Sequence, residues 1–276
     1  MRPERMHVVE RGTGAPLVLV PGVQGRWEYM RPAIERLAEH FRVVTFSLAG
    51  ERRSGCSHDP RRGLDDLVEQ MDAVMDLQGL RSAIICGVSF GGLVALRYAA
   101  ICPDRTRALV LASTPAPGWH LRRRHEIYAR LPWVFGPVFL AETPWRMRAE
   151  LRAALPNAAD RRRFKRQQLR TLLEAPISVS RMAMRARLIG RIDAESLCRA
   201  ITRPTLVLTG EPGLDHVING DGGSSYARLI TTAEGRVLAG TGHLGLVTRP
   251  GDFADAIKTF ADGCGVGAHE TEDDAA

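Results

Sequence analysis

Three side chains in this sequence have the types and the setting for nucleophilic catalysis. They are Ser89 in Gly87-Val-Ser-Phe-Gly-Gly92, Asp215 in Gly210-Glu-Pro-Gly-Leu-Asp-His-Val217, and His243 in Gly240-Thr-Gly-His-Leu-Gly245. A serine hydroxyl becomes a competent nucleophile when a base takes its proton, and the base in turn needs an acid that fixes its tautomer. The stretch around Ser89 carries the context such a serine needs. An apolar β-like run, Ala83-Ile-Ile-Cys86, enters the turn, and a helix-forming run beginning Leu93-Val-Ala-Leu leaves it. Gly87 and Gly91 suit a turn so sharp that no β-carbon fits beside the crossing backbone, and the serine itself takes up strained dihedrals. This is the pattern of a nucleophile elbow, in which serine, acid and histidine follow in that chain order. The competing reading is an ordinary strand-to-helix turn. Glu211 and Asp221 compete with Asp215 for the acid, and His216 with His243 for the base. His216 sits beside the acid with its side chain expected to point away, and it lacks a glycine-rich loop. The remaining histidines read as surface groups (His40, His58, His120, His125, His269) or as part of the first strand (His7).

Positioning such groups requires a rigid frame, and the chain alternates strand and helix signals as a frame of that kind would. Strands are read at 7–10, 16–20, 41–46 and 108–112, and helices at 29–40 and 64–77. The strand at 16–20 ends in Pro21-Gly-Val-Gln-Gly25, a glycine-rich loop at a strand's carboxyl end, where open α/β sheets bind ligands. From about Pro115 to Thr202 the alternation gives way to helical periodicity. It resumes at Arg203 to Gly210, continues at Gly235 to Leu238 and closes with a helix from Asp252 to Phe260. The expected fold class is α/β, a mostly parallel sheet with helices on both faces and an inserted helical cap. Residues 1–114 and 203–263 form the core, 115–202 the cap, and 264–276 an acidic tail expected to be disordered.

Length and composition are compatible with this frame: 276 residues, 45% hydrophobic and 25% charged, enough for one large domain with an insertion. The charged N-terminus does not read as a signal peptide, and no apolar run reaches membrane-spanning length. The five cysteines are scattered without a Cys-x-x-Cys pair, which argues against a disulfide framework or a zinc site and for a cytoplasmic location. Neither metal-ligand spacing nor a phosphate-cradling or dinucleotide-binding motif occurs, so no cofactor is expected. Trp27, Trp119, Trp133 and Trp145 read as core or cap packing, with pocket lining as the alternative.

The loop Pro21 to Gly25, the stretch Leu48-Ala-Gly-Glu-Arg-Arg-Ser-Gly55, the elbow, the segment Leu206 to Asp215 and the closing Gly-His-Leu-Gly together resemble the α/β-hydrolase superfamily over nearly the whole chain. The resemblance implies an oxyanion hole from the backbone N–H groups of Phe90 and Val23, and it favours Asp215 as the acid. Pro21 stands where members commonly carry histidine, and Ser47 where aspartate is usual, with loop order the property expected to respond. Serine at the nucleophile position argues against the dehalogenase and epoxide hydrolase branches, which use a carboxylate. The implied activity is hydrolysis of an ester, lactone or thioester through an acyl-enzyme. A C–C bond hydrolase and a non-catalytic small-molecule receptor on the same fold are the alternatives.

The formal net charge of +7 is concentrated in the cap stretch, where residues 121–191 hold seventeen Lys and Arg against five acids. Arg163, Arg166 and Arg170 recur at helical spacing and are expected to share a face suited to an anionic or carrier-bound acyl substrate. Solvated helix faces are the plain alternative. Nucleic acid is disfavoured, because no aromatic interleaving accompanies the charge, and peripheral membrane contact is the lesser alternative to an anionic substrate.

Overall fold

The computed structural model describes residues 6–218 and 222–267, so Asp221, His269 and most of the acidic tail lie outside the described residues. Seven strands form one sheet: β1 (Val8–Arg11), β2 (Ala15–Val20), β3 (Phe41–Phe46), β4 (Ala83–Val88), β5 (Thr106–Ala112), β6 (Thr205–Gly210) and β7 (Ala233–Leu238). Their spatial order is β1-β3-β2-β4-β5-β6-β7, with β1 antiparallel to β3 and every other pair parallel. The chain steps outward from β2 to β3 and then returns across β2 to β4. That reversal is the switch point at which loops leaving adjacent strand ends diverge and open a crevice.

Central strands are buried on both faces because side chains alternate across the sheet. Leu17, Leu19, Ile84, Cys86, Leu206 and Leu208 face one side, where Ile34 and Leu37 of α1 (Arg31–Leu37) and Phe253, Ile257 and Phe260 of the last helix cover them. Val18, Val20, Ile85, Leu109 and Leu111 face the other side. There they meet α2 (Leu64–Leu77) and α3 (Phe90–Ile101). Helix α2 buries Leu64, Leu67, Val68, Met71, Val74 and Met75, an i, i+3, i+4 stripe, whereas α3 is buried nearly all round.

The helix read at 29–40 is shorter than the periodicity implied. A 3₁₀ turn occupies Trp27–Met30, and α1 begins only at Arg31, with Pro32 in its first turn where a missing N–H costs nothing. The strand read at 235–238 begins earlier, at Ala233, because pairing with Thr205 of β6 holds the extra residues.

Between β5 and β6 the chain forms six helices: α4 (Arg123–Arg130), α5 (Pro132–Arg146), α6 (Arg148–Ala154), α7 (Ala158–Glu174), α8 (Val179–Ile189) and α9 (Ala194–Arg199). After β6 come α10 (Gly222–Leu229), α11 (Gly245–Thr248) and α12 (Pro250–Gly263). The Tyr226 hydroxyl of α10 donates to the Pro115 carbonyl (2.7 Å), and that of Tyr29 to the Ala175 carbonyl (2.8 Å), two of the bonds that tie the insertion to the core. The start of the tail turns back on α12, with Val266 N–H bonded to the Ala261 carbonyl.

Three sequence readings need correction. Trp133 and Trp145 are not packed: they stand 78% and 75% exposed, because the apolar side of α5 is only partly covered by other cap helices. His58 is no surface group, since its Nδ1 lies 2.8 Å from Asp66 Oδ2 in a buried pair that closes the loop before α2. His125 is half-buried, its ring against Tyr128 and Phe139. The five cysteines are all free, and none of the described helices is long and apolar enough to cross a membrane.

Candidate active site

The elbow explains its own composition. Ser89 holds φ 53° and ψ −120°, a region a non-glycine residue occupies only when its surroundings enforce it. The enforcing contacts are backbone: Ser89 N–H donates to the Ala112 carbonyl at the end of β5 (2.8 Å), and Gly92 N–H returns to the Ser89 carbonyl (2.9 Å). A β-carbon on Gly91 would overlap the Val20 and Pro21 carbonyls, and one on Gly87 would overlap the backbone of Gly91 and Gly92. Both glycines therefore let α3 start hard against the ends of β2 and β4.

Because β2 and β4 are neighbours, the loop Pro21–Gly25 comes to rest beside the serine. Gly22 lies so close that a β-carbon there would stand 3.5 Å from Ser89 Cβ. Among the described residues the Phe90 and Val23 backbone N–H groups have no partner, and Phe90 opens α3, where unsatisfied donors and the helix dipole favour negative charge. The following loop is fixed by Gln70 of α2, whose Nε2 donates to the Ser47 carbonyl (2.9 Å) while its Oε1 accepts from Ala49 N–H (2.7 Å). That buried amide orders the loop in which Ser47 stands.

Asp215 and His243 arrive from the ends of β6 and β7. His243 Nε2 lies 3.1 Å from Ser89 Oγ, and its Nδ1 lies 3.3 Å from Asp215 Oδ2, a long contact of the kind that tightens when substrate binds. Asp215 is 4% exposed, and its other oxygen accepts from the Val217 and Ile218 N–H groups at 2.8 and 3.0 Å. Burial pushes this carboxyl upward, yet the His243 contact and the two backbone donors outweigh it and hold it below the ordinary carboxylate range. Glu211 does not reach His243 but accepts from Gly240 N–H (2.7 Å), a clamp on the histidine loop, and His216 is exposed. The structure thus brings Ser89, His243 and Asp215 into one relay and leaves Glu211 and His216 outside it.

Arg163, Arg166 and Arg170 of α7 line one cleft of about 550 Å³ together with Arg31, Arg162 and Glu174. Arg31 is paired with Glu174 at 3.2 Å. Among the described residues, Arg162, Arg163, Arg166 and Arg170 have no carboxylate partner. Two buried residues of the insertion that reach the His243 loop and the Pro21–Gly25 loop, Glu150 and Arg185, escape sequence reasoning. The only signal is that Glu150 is one of five acids in a stretch of seventeen bases, and nothing local marks Arg185 among its arginine neighbours.

The sequence profile of the α/β hydrolase fold matches residues 15–250, and the chain belongs to that family. Among its relatives, 2-hydroxymuconate semialdehyde hydrolase of Pseudomonas sp. strain CF600 is 27% identical over 270 residues, 93% of this chain and 90% of that one. The pimeloyl-[acyl-carrier protein] methyl ester esterase of Xanthomonas axonopodis pv. citri is 25% identical over 264 residues, 92% of this chain and 98% of the other. An esterase of Thermogutta terrifontis shares the fold, with a TM-score of 0.75 at 24% identity over 94% of this chain and 93% of that one.

Proposed function

We propose that this family member is a serine hydrolase of carboxylic esters, lactones or thioesters. The observation that carries the reading is the relay itself: Ser89 Oγ within 3.1 Å of an imidazole whose far nitrogen faces a buried, ionised Asp215. In the first half-reaction His243 Nε2 takes the Ser89 proton as Oγ attacks the carbonyl carbon. The Phe90 and Val23 N–H groups receive the oxyanion, and His243 then protonates the departing alcohol or thiol. Water enters, loses its proton to the same nitrogen, and releases the acid and free Ser89. Asp215 holds Nδ1–H throughout and stabilises the imidazolium.

A serine-directed fluorophosphonate tests this. Covalent labelling and turnover of a short-chain chromogenic ester are both expected, and both are lost in Ser89→Ala. Folded wild-type protein that neither labels nor turns over would refute the hydrolase and leave the receptor. The relative that cleaves a semialdehyde substrate keeps the C–C hydrolase alternative open, and labelling without ester turnover would favour it.

The arginine cleft supports an anionic acyl substrate, in line with the carrier-protein ester named for one relative. Unpaired guanidinium groups sharing one cleft repel each other and are relieved by an anion. Reversing Arg163, Arg166 and Arg170 to Glu is expected to lower kcat/KM for an anionic ester, most at low salt, and to leave a neutral short ester unaffected. Equal effects on both esters would return these arginines to a solvated face.

A further inference from the structure

We infer that the cap is built into both halves of the reacting centre through two buried charges, Glu150 on the histidine loop and Arg185 on the oxyanion loop, and that both are positioning residues. The inference rests on the triad reading above. Glu150 of α6 is fully buried, and its Oε1 accepts from Gly242 N–H at 2.8 Å and from Leu244 N–H at 2.6 Å. These are the N–H groups of the two residues on either side of His243. On its other side Gly242 packs on the Leu214 carbonyl carbon and the Asp215 nitrogen, where a β-carbon would intrude. The histidine loop is therefore wedged between the acid loop and a cap carboxylate, which sets where the imidazole stands.

Arg185 of α8 is also fully buried and does the corresponding thing on the far side of the serine. It donates to the Val23 carbonyl (3.2 Å) and the Ala49 carbonyl (3.3 Å), and its Nη1 lies 2.8 Å from Glu51 Oε1. Its guanidinium fills the space that a β-carbon on Gly25 would need. Holding the Val23 carbonyl fixes the orientation of the residue whose N–H faces the developing oxyanion.

Neither charge is what a core chosen for stability would contain. Burial pushes the Glu150 carboxyl above the ordinary range, against the pull of the Leu244 and Gly242 N–H groups, and Oε2 has no partner among the described residues. Burial likewise lowers Arg185, and its Nε is unpartnered there too. Replacing a buried ion pair as a whole with well-packed apolar groups is commonly neutral or stabilising, so the placement of these charges against the two loops is better explained by positioning than by stability. Both come from the cap, on different helices and with opposite charge. An unseated cap would release the oxyanion donor and the histidine together.

The charged groups facing His243 or its loop are Asp215 and Glu150, with Glu211 and Arg249 near Gly240. Glu150→Ala, Glu150→Gln, Arg185→Met and Arg185→Lys separate positioning from folding. With a neutral short ester, Glu150→Ala and Arg185→Met are expected to lower kcat on the order of a hundred-fold with KM little changed, the usual cost of about an ångström of misplacement. Arg185→Lys keeps a cation beside Glu51, preserves the melting temperature and loses kcat all the same. Glu150→Gln keeps an acceptor oxygen for the Gly242 and Leu244 N–H groups and so keeps most of the kcat that Glu150→Ala loses. Folded Glu150→Ala and Arg185→Met variants with unchanged kcat, or with a loss confined to melting temperature, would overturn the inference. If wild-type protein fails to label with fluorophosphonate, the triad reading fails by itself. The environment of the His243 ring followed by NMR then decides: ring resonances displaced in Glu150→Ala and restored in Glu150→Gln support the inference, and resonances unchanged in both overturn it.

Discussion

Asp215→Asn should abolish nearly all turnover while leaving the site assembled, and the reason lies in how the two carboxylate oxygens are used. One accepts from two backbone donors, Val217 and Ile218 N–H, and the other faces His243 Nδ1. An asparagine cannot turn its NH₂ toward two N–H groups, so its carbonyl oxygen must keep that position and its NH₂ must face the imidazole. Nδ1 then becomes an acceptor, the ring proton moves to Nε2, and the nitrogen 3.1 Å from Ser89 Oγ can no longer take a proton. The same tautomer error in serine proteases costs about 10⁴ in kcat, roughly 5 kcal/mol of transition-state stabilisation. The assay is kcat for a neutral chromogenic ester in protein whose circular dichroism matches wild type. The companion Asp215→Ala should fall as far in kcat but also lose stability, since it strands the buried Ile218 N–H and the part-buried Val217 N–H. Turnover of Asp215→Asn within tenfold of wild type, or Glu211→Gln costing more than Asp215→Asn, would refute the acid assignment.

Gly91→Ala should lower stability by roughly 1–3 kcal/mol in urea unfolding and reduce kcat, since the new methyl drives α3 off the Val20 and Pro21 carbonyls. Gly251→Ala, in α12 with open space around it, should be neutral or stabilising by about 0.5–1 kcal/mol, and similar losses at both positions would contradict the packing argument. Melting curves against pH should separate the two buried acids by sign. Asp215 is held below the ordinary range, so its contribution is present above about pH 4 and lost as pH falls through the lower folded value. The deficit of Asp215→Asn should therefore shrink in acid. Glu150 is raised, so its contribution is full below about pH 4 and lost as pH climbs through the folded value. Glu150→Gln should thus gain on wild type toward neutral pH, and two difference curves of the same sign would contradict these assignments.

What could be read from the sequence was whatever is written locally. Gly87, Ser89 and Gly91 record a turn that only small or strained residues can make, and the double burial of β4 is spelled out in Ala83-Ile-Ile-Cys86. The loops carrying Asp215 and His243 follow strands whose direction in a parallel sheet is set by the alternation of elements, which makes their common sheet edge legible. Glu150 and Arg185 were illegible for the opposite reason. A charged residue on a basic helix looks solvated, and its burial follows from where α6 and α8 dock, which no local pattern encodes. His58 was misread in the same way, since Asp66 on α2 is what draws it inward. Helix ends shifted by a few residues where Pro32 delayed the start of α1.

The exposed rings on α5 decide how this protein can be watched. None of the four tryptophans lies in the sheet-and-helix core: Trp133 and Trp145 stand in solvent on the cap, and Trp27 and Trp119 are partly covered. Indole emission shifts to longer wavelength when the ring meets water, so Trp133 and Trp145 are expected to emit near the unfolded position already in the native protein, which leaves Trp27 and Trp119 to report unfolding. Trp27 is the exception of interest, since the guanidinium of Arg31, a residue lining the arginine cleft, lies 5.7 Å from its ring centroid. An anion in the cleft that draws Arg31 away from this ring is expected to change Trp27 emission, so the same indole can report cleft occupancy as well as unfolding.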